Sequence, residues 1–225
     1  MEKTISLNVN GGVEKIEVSK AYCIGFAGRN QDKVMEHIKE LAEIGVQGPE
    51  EIPILYPVRV SSLTQGESIE VLGGETGGEV EFVLIFDEST EEAYVTVGSD
   101  HTDRNLESVD INKSKQVCDK PFADKAWPLK DVIDHWDQLR LTSSILINNE
   151  WVLYQEDAVD SILHPQDILE YLSSKNISQK NAMFFSGTVP LKEGFMYGDK
   201  FKMTLSDPVR KDEIYWEYEI RQLDK

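Results

Sequence analysis

A chain of 225 residues carries 23 Lys and Arg against 41 Asp and Glu, a formal net charge of −18, with no Lys/Arg cluster. That argues against nucleic acid as a partner, since a phosphate backbone needs a basic patch. No apolar run approaches the roughly 20 residues that span a bilayer, and Met1-Glu2-Lys3-Thr4 lacks a signal-peptide pattern, so a cytoplasmic protein with no membrane partner is expected.

In chain order, Thr4 to Val9 and Val13 to Val18 alternate around Asn10-Gly11-Gly12, a hairpin signal. Cys23 and Cys118 follow no metal or redox spacing, and Cys23 reads as a buried apolar residue. Asp32 to Ile44 places Val34, Met35, Ile38, Leu41, Ala42 and Ile44 on a helical stripe ended by Gly45. His37 and Glu40, three apart, are neighbours at its edge. A carboxylate holds an imidazole in one tautomer and makes it a better base, although such a pair on an exposed helix is commonly only a weak contact. Strand patterns follow at Ile69 to Leu72, Glu79 to Phe86 and Ala93 to Val97; helices are expected at 128–138 and 165–174, and closing strands at Phe201 to Leu205 and Glu213 to Arg221. With no repeat or linker, the pattern reads as a single α+β domain built on a mixed β-sheet with a few short helices, residues 1–60 forming a hairpin and helical lid and 61–225 the remainder.

The chemistry concentrates at Gly77-Gly78-Glu79-Val80-Glu81. In a strand, residues i and i+2 share a face, so Glu79 and Glu81 point one way while Val80 and Phe82 enter the other side. Asp100 lies a hairpin's distance on, in a run that crowds acid, imidazole and guanidinium together: Asp100-His101-Thr102-Asp103-Arg104. Three convergent carboxylates offer the hard oxygen ligands that Mg²⁺, Mn²⁺ and Ca²⁺ prefer. His101 would point away from the ligands if the chain stays extended there. Thr188, beside Gly187, can present its hydroxyl and N–H to an oxyanion, and Gln155 can hydrogen-bond a substrate, though each is also a common structural residue.

Taken together these segments resemble the fumarylacetoacetate hydrolase superfamily. The likeness lies in a chain of motifs in one order across about residues 20 to 222: Glu79-x-Glu81, Asp100-x-Thr102-x-Arg104, the run Ser144 to Gln155, Pro165 to Ser173, Ser186-Gly187-Thr188-Val189-Pro190 and Gly198-Asp199. The pattern is most similar to a branch known as a domain of unknown function. The resemblance implies the β-roll of the superfamily's C-terminal domain, a homodimer, and Mg²⁺ or Mn²⁺ (Ca²⁺ as a further candidate) on Glu79, Glu81 and Asp100. It implies His37, oriented by Glu40, as the activator of water, and a lysine after the Asp ligand as a substrate contact. Lys120 matches best, in Lys120-Pro121-Phe122-Ala123, with Lys115 close behind. Arg104, Gln155 and Thr188 would bind substrate. Three positions depart from the pattern: Arg59 stands near where the superfamily has a lysine, Asn105 where an acid is common, and Glu107 where it often has Gln.

The expected activity is metal-dependent hydrolysis of a carbon–carbon bond in a small anionic 2-oxo or β-diketo acid, with the cation stabilising an enolate. Decarboxylation, hydration and isomerisation share that enolate, and a non-catalytic small-molecule binding protein is a third class on the same scaffold.

Overall fold

The computed structural model describes residues 2–32, 34, 35, 38, 39, 48, 49 and 51–224. His37 and Glu40 lie outside the described residues, as does most of the helix expected from 32 to 44.

The architecture is mixed β-sheet with few short helices, arranged in layers. Its centre is a six-stranded sheet in the order Trp127–Pro128, Ala93–Ser99, Val80–Phe86, Ala182–Phe185, Lys20–Gly25, Ile54–Val58. Ala182–Phe185 runs parallel to Lys20–Gly25 and antiparallel to Val80–Phe86. The N-terminal hairpin, Lys3–Val9 with Gly12–Val18, covers one face, and its Ile5, Leu7, Ile16 and Val18 share a buried cluster with Val83, Ile85 and Phe185. A five-stranded sheet covers the other, in the order Glu150–Ala158, Arg140–Ile147, Lys200–Asp207, Asp212–Gln222, Ser68–Val71. Its Leu141, Ile145, Phe201, Met203 and Tyr218 pack with Val80, Phe82 and Leu84. Layers on both sides explain why Phe82 to Phe86 is a continuous apolar run and not an alternating one: no face of that strand meets water. Among the described residues no helix is long and apolar enough to cross a membrane. Both cysteines are buried and free.

The hairpin expected around Asn10 forms in the register Val9↔Gly12, and the helix Pro165–Ser174 begins where Pro at its first turn favours it. The helix expected at 128–138 does not form. In its place stand two short 3₁₀ turns, Leu129–Asp131 and Ile133–Gln138, with His135 at φ −126° and ψ 25°. The segment is tied down from outside: His135 Nε2 lies 2.8 Å from Asp207 Oδ2, and Trp136 packs edge-on against Phe82 at 4.9 Å. These tertiary contacts override the helical period.

Two short helices absent from the sequence reading flank the site, Arg104–Glu107 and Ile111–Val117. Each starts on an aspartate whose side chain accepts from a backbone N–H, Asp103 from Leu106 at 2.9 Å and Asp110 from Lys113 at 3.0 Å. Asp103→Ala is expected to cost about 1 kcal/mol, the usual loss for an N-cap acceptor, read as a lower urea midpoint at constant slope. An unchanged midpoint would show that the helix carrying Arg104 is held by its ion pairs alone.

Candidate metal centre

Strand pairing builds the centre. Val80 lies opposite Ser99 and Glu81 opposite Gly98, and the ladder is extended by Asp100 N–H donating to Glu79 O at 3.1 Å. Glu79, Glu81 and Asp100 therefore converge on one face, each offering a carboxylate oxygen within 4.8 Å of the others. Gly98 is required by close approach: a Cβ there would sit 2.6 Å from Val83 Cγ2 and 2.8 Å from Phe185 Cε1. Gly187 approaches from the neighbouring loop at φ +90°, a backbone conformation that suits glycine.

Burial sets the electrostatics. Glu81 and Asp100 are buried, while the Glu79 side chain keeps 17% of its surface and marks the open side. Burial, and then the neighbouring Asp100, pushes the Glu81 carboxyl well up. Glu79 is raised by burial too, against the pull of Arg104. For Asp100 burial acts upward, but Lys115 Nζ at 2.5 Å and Lys120 Nζ at 3.4 Å hold it far below the usual carboxylate range. Burial opposes the charge on Lys115, yet Asp100 and Glu79 keep it ammonium well past the ordinary lysine range.

The expected substrate contacts fall into two groups. Arg104 faces the triad. One terminal nitrogen lies 3.4 Å from Glu79 Oε1, the other donates to Glu107 Oε2 at 2.8 Å, and the guanidinium stacks on Phe195 at 4.5 Å. Lys115, on the helix Ile111–Val117, points its ammonium at Asp100 and lies over the Tyr56 ring at 5.7 Å. Lys120 is different. It is fully enclosed and donates to the backbone carbonyls of His101, Lys115 and Cys118, so it clamps the loop around Asp100.

Gln155 and Thr188 likewise bind the scaffold. Gln155 Oε1 accepts from Val80 N–H and Ser143 Oγ, each at 3.0 Å, and its Nε2 donates to Thr188 Oγ1 and Val189 O, each at 2.7 Å. Thr188 then donates to Val80 O at 2.7 Å. This bracket fixes the first residue of the strand that carries Glu81, flanked by the two glutamates. His101 turns away from the triad, its ring nitrogens 2.9 Å from Tyr218 Oη and 3.0 Å from Thr76 Oγ1. Arg59 engages Gln116 O and lies 3.4 Å from Asp119.

A hard divalent cation fits these residues. Glu81 Oε2 is buried with no hydrogen-bond partner, a state that costs roughly 1–3 kcal/mol, more if charged. Three carboxylate donors and the absence of sulfur match oxygen-preferring ions. Two neighbours had no signal in the sequence: Phe195 beneath Arg104 and Tyr218 beside His101 come from 91 and 117 positions along the chain.

Comparison with known proteins agrees with this geometry. No curated protein matches the sequence. Among solved structures, Cg1458 superposes with a TM-score of 0.65 at 14% identity, covering 93% of this chain and 80% of that one. A 2-keto-3-deoxy-D-arabinonate dehydratase complexed with magnesium and 2,5-dioxopentanoate gives 0.61 at 14%, covering 95% and 86%. A 4-oxalocrotonate decarboxylase from Pseudomonas putida G7, complexed with calcium and acetate, gives 0.54 at 14%, covering 90% and 77%. These neighbours are fumarylacetoacetate hydrolase superfamily members, and the chain shares their fold. The family model described as protein of unknown function, DUF2848, matches residues 24–218, so the chain belongs to that family.

Proposed function

We propose that this protein is a metal-dependent enzyme acting on a small 2-oxo acid, with Glu79, Glu81 and Asp100 holding Mg²⁺ or Mn²⁺. The observation that carries the reading is the triad itself: three carboxylates within 4.8 Å, one with a buried oxygen that has no partner. The structurally similar dehydratase and decarboxylase, complexed with magnesium and calcium, support it. When bound, the cation supplies Lewis-acid charge to the adjacent keto and carboxylate oxygens of the substrate.

The chain's own groups do the rest. Lys115 and Arg104 line the triad and hold anionic oxygens. Lys120, Gln155 and Thr188 keep the ligand-bearing backbone in place, and the open side at Glu79 admits the substrate. His37, oriented by Glu40, is proposed as the base that activates water for carbon–carbon cleavage of an acylpyruvate-like acid.

A lyase is the second reading. The other three histidines are engaged elsewhere, His101 with Tyr218 and Thr76, His135 with Asp207, and His164 as a helix cap, so among the described residues no imidazole faces the triad. Turnover of acylpyruvates and oxaloacetate with Mg²⁺ or Mn²⁺ separates the readings. Glu79→Ala is expected to abolish activity, and His37→Ala to lower it by about 10²-fold or more. Loss in Glu79→Ala alone would point to decarboxylation or isomerisation. Absence of both turnover and cation binding would leave a non-catalytic binding protein.

A further inference from the structure

The charges of the centre nearly cancel, and the residue that completes the balance is Glu107. Four carboxylates, Glu79, Glu81, Asp100 and Glu107, face three cations, Arg104, Lys115 and Lys120. Each cation already has an anionic partner. Lys115 and Lys120 lie on Asp100, and Arg104 is held between Glu79 and Glu107, with Gly77 O at 3.3 Å and Phe195 across its face. The Arg104 side chain keeps only 5% of its surface, so what it presents serves a single substrate carboxylate.

A divalent cation turns the net charge of this group from minus one to plus one. The carboxylate of one 2-oxo acid then brings it to zero. Among the described residues a second substrate carboxylate would be unmatched beside Glu107, whose side chain stays 27% exposed at the open side, in a protein of net charge −18. Like charges brought together across a site weaken binding of the wrong partner. A hydroxyl, by contrast, can donate to a Glu107 oxygen.

We propose that Glu107 is a specificity residue: it neutralises the outer end of Arg104 and selects 2-oxo monoacids with a neutral, hydroxyl-bearing tail over 2-oxo diacids. This rests on the 2-oxo acid reading above.

The test is calorimetric binding to the full chain in the presence of Mn²⁺, which needs no turnover. The probes are 5-hydroxy-2-oxopentanoate, 2-oxopentanoate and 2-oxopentanedioate, applied to the native protein and to Glu107→Gln, after Mn²⁺ binding alone has been measured in both. The native protein is expected to bind the diacid about tenfold or more weakly than the hydroxy acid, and Glu107→Gln to narrow that gap to about threefold or less, because the neutral amide no longer opposes a second carboxylate. Equal or tighter native binding of the diacid overturns the proposal, as does an unchanged preference in Glu107→Gln. If Mn²⁺ binds but none of the three acids does, the 2-oxo acid reading itself falls and takes this inference with it, a result distinct from binding without discrimination.

Discussion

Glu81→Gln is expected to abolish Mn²⁺ binding while raising the melting temperature of the metal-free protein. The two effects come from one atom. Without a cation, Glu81 Oε2 is buried and unpartnered, close to the carboxylates of Glu79 and Asp100. An amide of the same shape removes the charge that burial opposes and supplies N–H donors to those two acceptors, which should stabilise the apo fold by about 1 kcal/mol. With the cation the sign reverses. At a cation concentration of 100 Kd the native protein gains roughly 2.7 kcal/mol, a gain the variant loses with its anionic ligand. Thermal unfolding of both proteins with and without Mn²⁺ reads both parts. A variant that keeps the native Mn²⁺ shift would remove Glu81 from the ligand set. A metal-free variant melting several degrees below the native protein would show that the Glu81 carboxylate is already satisfied.

Much of this centre was legible before the structure, because its logic is local. Glu79 and Glu81 share a face through the two-residue period of a strand, and one short hairpin returns Asp100 beside them. What the sequence could not disclose depends on distant partners. Gln155 reads as a strand-end glutamine, and its scaffold role appears only when Val80 and Thr188, 75 and 33 positions away, are brought to it. Residues 128–138 carry a helical period, but pairing of Trp127–Pro128 with Ala93–Ser99 and the His135–Asp207 contact decide their backbone. The two lysines are the clearest case. Both follow Asp100 within twenty positions, and only the turn of helix Ile111–Val117 against the extended Lys120–Pro121 gives them different tasks.

That difference can be measured by pairing Lys115→Met with Lys120→Met. Removing Lys115 leaves the buried Asp100 carboxylate with Lys120 at 3.4 Å as its one ion-pair partner among the described residues, beside the Thr102 hydroxyl at 3.3 Å. Losing one partner of a buried pair typically costs about 3–5 kcal/mol. A cation on the triad restores positive charge to Asp100, so Mn²⁺ is expected to recover most of the stability lost in Lys115→Met. In Lys120→Met the charge on Asp100 is largely kept, since Lys115 remains at 2.5 Å, but the carbonyls of His101, Lys115 and Cys118 lose their shared buried donor. No ion bound by carboxylates can replace that donor, and each stranded group costs roughly 1–3 kcal/mol. Lys120→Met should therefore be the more damaging change and should gain from Mn²⁺ no more than the native protein does. Denaturant midpoints for both variants, with and without Mn²⁺, decide it. Equal recovery of the two by Mn²⁺ would mean that both lysines act only as counter-ions to Asp100, and recovery of neither would mean that the cation does not reach Asp100.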